Sequence, residues 1–306
     1  MINRRKFLSV SLTVAMLIGC SSQKPASETQ GQNGEVQPLV VGAIPDQDPE
    51  QLQRLYGKLT DYLSDELNIP VVYKPVTDYA AAVTAFRVGD LDLVWFGGLT
   101  GVQARLQVPD ATAIAQRDID AEFTTVFIAH QSANLAPFGS AEELQNLKGL
   151  RMTFGSESST SGRLMPQYFL KQNEVTLDDF NGDIGFSGSH DTTLKLVESG
   201  TYEVGALNSQ VWRDRVAEGK VNEDSVKQIW ETPPYYDYHW VINPQVNQRY
   251  GEEFQQKVQN VLLALDSSQP EQKEILDLFS AESFIATENT NYDQIEAVGR
   301  EIGKIQ

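Results

Sequence analysis

The sequence is poor in the residues that proteins use to bind transition metals and to cross-link chains. Its 306 residues include three histidines and one cysteine. A single cysteine excludes an intrachain disulfide. So few imidazole and thiol groups also argue against a dedicated transition-metal site. We therefore expect a protein without a metal or other cofactor.

Basic residues are scarce as well. The chain has 24 Lys and Arg against 42 Asp and Glu, which gives a formal net charge of −18. Nucleic-acid binding rests on many Lys and Arg contacts to phosphate, so this balance argues against it. The net charge of a protein affects its solubility and the long-range steering of charged partners, but it does not determine what a local site can bind. A small anion can still be held by backbone N–H groups and hydroxyls at helix starts.

The N-terminal apolar run is too short to span a bilayer. It extends over residues 7–18 behind the charged residues Arg4, Arg5 and Lys6. This pattern predicts an export signal peptide over residues 1–19. Residues 4–8, Arg-Arg-Lys-Phe-Leu, also resemble a twin-arginine export motif. The choice between the Sec and twin-arginine routes stays open.

The signal ends in Leu17-Ile18-Gly19-Cys20, which resembles a bacterial lipobox. The resemblance implies that Cys20 becomes the lipidated first residue of the mature protein; the alternative is a free cysteine in an ordinary signal peptide. Residues 20–37 are polar, rich in Gly, Ser and Gln, and lack an apolar period, which predicts a flexible tether. We expect a lipoprotein on the periplasmic or outer cell-surface side of a membrane.

Short apolar runs alternate with helical patterns along the rest of the chain. This alternation implies an α/β architecture with largely parallel sheets. The predicted strands are 39–44, 71–76, 91–96, 125–129, 152–154, 184–186, 204–207 and 238–242. The predicted helices are 49–67, 79–88, 161–173, 190–199, 208–218, 247–266, 270–279 and 291–303.

About 270 residues follow the tether, enough for two lobes of ordinary domain size. We predict lobe 1 from residues 38–129 plus 240–306 and lobe 2 from residues 130–239. The hinge candidates are the segments that leave and re-enter lobe 1, Thr125–His130 and Tyr238–Ile242.

Two helix starts correspond to each other in the two predicted lobes. Asp78-Tyr79 begins a helix that ends at Gly89 and is followed by a strand. Ser189-His190 begins a second helix that ends at Gly200 and is again followed by a strand. Gly after a helical pattern is typical of a C-terminal cap. The pattern indicates one β-α-β unit used once in each lobe, although helix-Gly-strand is common enough to arise by chance.

Four hydroxyl residues, Ser158-Ser-Thr-Ser161, precede Gly162 between a predicted strand and a predicted helix. One hydroxyl at a helix start caps the helix, but four exceed what capping needs. The Gly lets the backbone approach a ligand, and the helix N-terminus offers unpaired N–H groups and partial positive charge. The segment is predicted to be an uncharged anion cradle, with Pro166 near the first turn of the helix.

These residues carry a resemblance to a known family. The matching segments are Val41–Pro45, Asp78-Tyr79, Gly89–Gly97, Ser159–Gly162 with Pro166-x-Tyr168, and Gly188–His190. Together they resemble the phosphate/phosphite/phosphonate-binding proteins of ABC importers, and especially the subgroup named for selenate binding. The resemblance implies a two-lobed periplasmic-binding-protein fold, type II-like, that closes on its ligand about a hinge. It also implies a monomer that passes its ligand to a membrane permease and is not an enzyme.

The resemblance further implies the positions of the ligand-binding residues. The positions that match oxyanion-binding residues of the family are Tyr79, Ser159, Thr160, Ser161 and His190. Phe123 stands where aminophosphonate binders carry a Tyr, and Gln210 where they carry a Glu against the ligand's amine. Asp237 matches, with a one-residue shift, an Asp of that same role. The loss of the Glu favours a bare tetrahedral oxyanion.

A carboxylate that faces an oxyanion must accept a proton from it or repel it. Monoprotonated phosphate or phosphite offers that proton at neutral pH, whereas selenate and sulfate do not. If Asp237 or Asp191 faces the ligand, phosphate-like anions are favoured; if neither does, selenate or sulfate becomes plausible.

The sequence also contains the residue types of two other functions, and it leaves a third open. Ser161, His190 and Asp237 are the residue types of a nucleophilic triad, but the chain has no Gly-x-Ser-x-Gly elbow. A metal site would have to use His190, Asp191, Asp237 and His239. A third alternative is a sensory module that presents its ligand to a receptor instead of a permease.

Overall fold

The computed structural model describes residues 36–306, and these residues form two β-sheets flanked by helices. The predicted signal peptide, Cys20 and the tether residues up to 35 lie outside the described residues. The predicted α/β architecture is confirmed. Each sheet, however, combines parallel with antiparallel strands.

Eleven strands are assigned in the described part of the chain. In chain order they are β1 (Leu39–Ala43), β2 (Val71–Tyr73), β3 (Leu93–Phe96), β4 (Thr112–Arg117), β5 (Thr125–His130), β6 (Met152–Phe154), β7 (Gly185–Phe186), β8 (Val204–Asn208), β9 (Val226–Glu231), β10 (His239–Ile242) and β11 (Phe284–Ala286). The six-stranded sheet has the order β11-β4-β10-β3-β1-β2, and the five-stranded sheet the order β7-β6-β8-β5-β9. The chain thus builds most of one sheet, then the other, and returns to the first.

The α-helices agree in most places with the predicted ones. They are α1 (Pro49–Leu67), α2 (Tyr79–Arg87), α3 (Gly98–Gln107), α4 (Met165–Gln172), α5 (His190–Glu198), α6 (Ser209–Ala217), α7 (Gln245–Tyr250), α8 (Phe254–Leu263), α9 (Pro270–Leu278) and α10 (Asp293–Glu301). Within residues 36–306 none of these helices combines the length and apolar character needed to cross a membrane.

Helix α1 shows why the periodic segments were predictable. Its leucines at helical spacing are buried, and they pack in the core of the six-stranded sheet. The carboxylate of Asp48 accepts a hydrogen bond from the Glu50 N–H at 3.0 Å and so caps the N-terminus. Asn68 ends the helix in the left-handed conformation, with φ of 56°.

One predicted helix was wrong, and several elements were not predicted. The segment predicted as a helix over 247–266 is divided at Gly251, where φ is 117°, into α7 and α8. Helix α3 and the strands β4, β9 and β11 were missed. Helix α3 contains two glycines, which lower its intrinsic helix propensity. A β-carbon at Gly101 would clash with the His239 ring, so this Gly serves the packing of α3 against β10.

The chain passes between the two sheets in two segments. The first crossing is residues 118–124, between β4 and β5, and the second crossing is residues 232–238, between β9 and β10. Phe123 and Tyr235 join the crossings, since each N–H donates to the other's carbonyl at 2.9 Å.

The predicted lobe boundary at residue 130 needs correction, because Thr125–His130 is a strand of the five-stranded sheet. That the crossings act as a hinge remains a prediction. Below, lobe 1 and lobe 2 denote the parts built on the six-stranded and five-stranded sheets.

A buried ion pair holds the first crossing against lobe 1. The guanidinium of Arg117 donates from Nε and Nη2 to the two carboxylate oxygens of Asp120 at 2.8 and 2.7 Å. Its Nη1 donates to the carbonyl oxygen of Phe279 at 2.8 Å. The two side chains are 7% and 0% exposed. A charge buried this deeply depends on its partner.

We expect Asp120→Asn to lower the free energy of unfolding by about 3 kcal/mol, because it leaves the Arg117 charge buried without its counter-ion. Urea unfolding at pH 7 followed by circular dichroism measures this change. The exposed pair Lys273–Asp277 provides the matched control. We expect Asp277→Asn to change stability by no more than about 0.5 kcal/mol. Equal effects of the two substitutions would contradict the role given to Asp120.

Candidate ligand-binding site

Two of the predicted site residues begin helices in different lobes. Tyr79 is the first residue of α2, and the side chain of Asp78 caps that helix. His190 is the first residue of α5, and the side chain of Ser189 caps that helix. Tyr79 and His190 are 2% and 0% exposed. The correspondence between the two helix starts that the sequence predicts is therefore confirmed.

The hydroxyl segment lies between β6 and α4, as predicted. A π-type turn over Thr160–Leu164 leads into α4, with Pro166 in the first turn of that helix. The Ser159 hydroxyl oxygen accepts a hydrogen bond from the Gly162 N–H at 2.9 Å and so caps the turn. Such wide turns are rare and occur often at functional sites.

The last three hydroxyls of this segment, those of Ser159, Thr160 and Ser161, have different surroundings. Ser159 serves as the cap. Thr160 reaches across to lobe 1, where its hydroxyl oxygen accepts a hydrogen bond from the Leu99 N–H in the first turn of α3 at 3.0 Å. The Ser161 hydroxyl is buried near the Tyr235 hydroxyl, but it forms no hydrogen bond of good geometry with any of residues 36–306. Only Ser161 thus keeps its full hydrogen-bonding capacity for a ligand.

Glycines bring the segments of the two lobes close together. A β-carbon at Gly97 would lie 3.1 Å from the Thr160 hydroxyl oxygen and 3.2 Å from Asp237 Oδ1. A β-carbon at Gly162 would lie 3.2 Å from Cε1 of His190. Side chains at these positions would push the loops apart. The site is therefore built where α3, the π-type turn, α5 and the second crossing approach one another.

Asp237 lies in the second crossing and contributes a half-used carboxylate. Its Oδ1 accepts a hydrogen bond from the Gly98 N–H at the start of α3 at 2.8 Å. Its Oδ2 is buried and has no partner among the described residues. Burial raises the pKa of Asp237 from 3.8 to about 7. Asp237 can therefore exchange a proton near neutral pH.

Asp191 follows His190 in the chain but does not face the cluster, the name used here for Tyr79, the hydroxyl segment, His190 and Asp237. Both of its carboxylate oxygens accept hydrogen bonds from the guanidinium of Arg215, at 2.7 and 3.1 Å. One of them also accepts a hydrogen bond from the Asp48 N–H at 3.0 Å. Of the two acids that the sequence left open, only Asp237 has a free oxygen at the site.

His190 is held in the neutral form. Burial lowers its pKa to about 4, and its Nδ1 accepts a hydrogen bond from the Asn208 N–H at 3.3 Å. The remaining ring nitrogen, Nε2, then carries the proton and donates to the Tyr238 hydroxyl at 3.2 Å. The side chain of Asn208 donates to the same hydroxyl at 3.2 Å. Tyr238 in turn lies against the buried carboxylate of Asp46, whose pKa burial raises to about 6.

Within the described part of the chain, three buried polar atoms at the site are left without hydrogen-bond partners: the Tyr79 hydroxyl, the Ser161 hydroxyl and Asp237 Oδ2. Tyr79 faces Ser159, though without good hydrogen-bond geometry. An unsatisfied buried polar group costs about 1–3 kcal/mol. Such groups are rare in folded proteins and call for an explanation. A bound molecule that offers acceptors to the two hydroxyls and a proton to the carboxylate would satisfy all three.

Phe123 and Gln210 are placed differently. The Phe123 ring packs edge-on against the rings of Tyr235 and Tyr238, with centroid distances of 6.3 and 5.4 Å, and so forms part of the wall behind the site. The side-chain amide of Gln210 instead donates to Asp214 at 2.8 Å. Gln210 lines an outer groove, so the structure does not bring it to the cluster.

The geometry does not assemble the alternatives considered from the sequence. His190 bonds to Tyr238 and Asp237 bonds to the Gly98 N–H, so neither activates the Ser161 hydroxyl. His239 stacks on Tyr292 at a centroid distance of 3.7 Å, away from His190. Among residues 36–306 no group of three or more His, Cys, Asp or Glu side chains is placed to hold a metal ion.

Sequence reasoning missed several residues of the site. The backbone N–H groups of Gly98 and Leu99 were missed because α3 itself was not predicted. Tyr235 and Tyr238 are not among the ligand-binding residues predicted from the sequence. The Tyr235 hydroxyl bonds to Thr125 at 2.6 Å, and Thr125 donates to the Ser161 carbonyl. The one available signal was the density of aromatic residues over 235–240.

Comparisons with known proteins are specific. Residues 41–292 match a family model described as the periplasmic substrate-binding protein of phosphonate ABC transporters. A probable phosphite-binding protein of an ABC transporter, PhnD1 of Prochlorococcus marinus (strain MIT 9301), is 49% identical over 269 residues, which are 88% of this chain and 91% of the relative. The structure of PhnD1 from the same strain in complex with methylphosphonate has a TM-score of 0.86 and covers 87% of this chain and 98% of that chain. A phosphate-import protein of Mycolicibacterium smegmatis is 25% identical over 236 residues, 74% of this chain and 73% of the relative.

The raised pKa of Asp237 predicts a pH-dependent difference between the wild type and Asp237→Asn, measured without ligand. Between pH 4 and 7 the folded protein keeps a proton that the unfolded chain has lost, so the contribution of Asp237 to stability falls as the pH rises and levels off above about 7. Asn keeps the acceptor for the Gly98 N–H and cannot ionise. The stability of the wild type relative to Asp237→Asn should fall by on the order of 4 kcal/mol over this range.

Urea unfolding of both proteins at half-unit pH steps measures this difference, because the titration of all other groups cancels. A constant difference from pH 4 to 8 would contradict the assignment of a protonated, buried Asp237.

Proposed function

The chain belongs to the family of periplasmic substrate-binding proteins of phosphonate ABC transporters, and from this premise we propose that it captures a small phosphorus oxyanion between its two lobes and delivers it to the permease. This family consists of substrate-binding proteins and not of enzymes, in agreement with the expectation from the sequence. We propose phosphite or a small phosphonate such as methylphosphonate as the ligand.

The observation that carries this proposal is the mixture of free donors and a free acceptor at the cluster. The hydroxyls of Tyr79 and Ser161 can donate to anionic oxygens, and Asp237 Oδ2 can accept one proton. A monoprotonated phosphite or phosphonate fits this set, because it offers anionic oxygens and one P–OH group. Neutral His190 adds no charge, so the anion is held by dipoles and hydroxyls.

The same carboxylate disfavours sulfate and selenate. Neither of these anions carries a proton at neutral pH, so each would bind only the fraction of the protein in which Asp237, whose pKa is about 7, is itself protonated. The selenate ligand that the sequence resemblance left open is therefore the less favoured one.

The surroundings of the cluster favour a small substituent on phosphorus. Phe123 fills the wall with a buried ring, 3% exposed. Gln210, which stands where aminophosphonate binders carry a Glu, is bound to Asp214 outside the cluster. No carboxylate is thus contributed from that position to pair with a ligand amine. One relative is named for phosphite binding and one similar structure is a complex with methylphosphonate. Both support a ligand whose substituent on phosphorus is small.

We further propose that the protein is exported and anchored through lipidated Cys20, consistent with the periplasmic family. Expression of the full chain in a Gram-negative host should yield a membrane-associated protein, whereas Cys20→Ala should partition into the aqueous phase of a detergent extraction. Equal partitioning of both proteins would remove the lipid anchor from the proposal.

The ligand is tested with a thermal-shift titration of residues 36–306 against phosphite, methylphosphonate, phosphate, sulfate, selenate and 2-aminoethylphosphonate. A ligand at about 100 times its Kd stabilises by about 2.7 kcal/mol. We expect the largest shifts with phosphite and methylphosphonate and smaller shifts with sulfate and selenate. A protein that binds none of the six anions would contradict the proposed function.

The site is tested in the same titration with Ser161→Ala and Ser158→Ala. Removing the free hydroxyl of Ser161 should weaken phosphite binding by roughly 10- to 150-fold, because a charge-assisted hydrogen bond contributes about 1.5–3 kcal/mol. Ser158 is a neighbouring hydroxyl that is only partly buried and serves as the matched control. Equal affinities of both variants and the wild type would remove Ser161 from the site.

A further inference from the structure

Next to the candidate site, a second contact joins the lobes. Arg215 on α6 and Asp191 on α5 form a bidentate ion pair within lobe 2, with distances of 2.7 and 3.1 Å. The two side chains are 5% and 12% exposed. Burial raises the pKa of Asp191, but the hydrogen bonds and charge of Arg215, together with the hydrogen bond from the Asp48 N–H, hold this pKa below its ordinary value. The pair is therefore a fixed, charged surface of lobe 2.

Both residues of this ion pair form hydrogen bonds with the segment that leads from β1 into α1 of lobe 1. The Asp48 N–H donates to Asp191 Oδ2 at 3.0 Å. Nη2 of Arg215 donates to the side-chain oxygen of Gln51 at 3.0 Å and to that of Gln47 at 3.4 Å. All three hydrogen bonds join the lobes, because residues 47–51 follow β1 of the six-stranded sheet.

The contact is coupled to the candidate site through the chain. His190 and Asp191 are consecutive residues at the start of α5; the first faces Tyr238 in the site, and the second faces Asp48. The His190 N–H also donates across the lobes, to the carbonyl of Asp46 at 2.9 Å. The helix start that completes the site is thereby the same one that grips lobe 1.

We propose that Arg215 and Asp191 act as positioning residues, a latch that receives residues 47–51 of lobe 1 when the lobes are together and slows ligand release without touching the ligand. The pair lies within one lobe, so it persists whether the lobes are together or apart. Only its hydrogen bonds to Asp48, Gln47 and Gln51 are gained when they meet. This difference biases the equilibrium between the two arrangements.

The test is a double-mutant cycle on phosphite dissociation, and it rests on the proposed function. Arg215→Lys keeps the positive charge beside Asp191 but loses the planar fork that also reaches Gln51. Gln51→Ala changes the partly exposed lobe 1 side of the contact. Dissociation is followed by stopped-flow tryptophan fluorescence, since Trp95 stacks on Tyr238 at a centroid distance of 5.7 Å.

We expect each variant to raise the dissociation rate about three- to tenfold, with a smaller change in the association rate. The double variant should dissociate no faster than Arg215→Lys alone, because the two side chains act through one contact. Arg213→Lys is the matched control, since Arg213 pairs with Glu231 inside lobe 2. Its dissociation rate should stay within about twofold of the wild type.

Unchanged dissociation rates, or effects that multiply in the double variant, would overturn the latch. Amide hydrogen exchange at Asp48 separates this outcome from failure of the proposed function. The latch predicts that phosphite protects the Asp48 N–H in the wild type and protects it less in Arg215→Lys. Binding without such protection would disprove the latch alone, whereas a wild type that binds no anion would disprove the proposed function.

Discussion

The structure depends on the convergence of helix N-termini from both lobes on one small volume. α2 and α3 approach from lobe 1, and the π-type turn before α4 and helix α5 from lobe 2. Each N-terminus has N–H groups that need acceptors. Asp78, Ser159 and Ser189 cap three of them, and Asp237 and Thr160 serve α3. The atoms left over are those that a tetrahedral anion would complete.

Two buried carboxylates show how an acidic chain can hold an anion. Asp191 is fully occupied by Arg215 and the Asp48 N–H, so its charge is compensated locally. Asp237 has one N–H partner and a pKa raised by burial to about 7, so it can be neutral or share a proton. The net charge of −18 therefore says little about the potential inside the cluster.

Local patterns could be predicted from the sequence because they follow from local physics. Leucines at helical spacing predicted α1, and hydroxyls before Gly162 predicted the helix start that leads into α4. Helix α3 could not be predicted, because its Gly101 lowers the helix propensity. The reason for this Gly, the close approach of the His239 ring, is visible only in the tertiary structure. The role of Gln210 could not be predicted either, because it depends on whether its amide turns to the site or to Asp214. The partnership of His190 with Tyr238 needs the tertiary structure that brings two distant segments together.

Phe123 and Tyr235 exchange two backbone hydrogen bonds, so the two crossings form one short two-stranded ribbon instead of two independent segments. A ribbon bends across its flat face more easily than it shears or twists in its own plane. If the crossings act as the predicted hinge, relative motion of the lobes about this connection reduces to nearly one mechanical coordinate. Anything bound to both lobes would then sense the occupancy of the cleft as a displacement along that coordinate. The occupancy of a single anion site would in this way reach a partner that contacts both lobes as one defined change in the arrangement of the lobes.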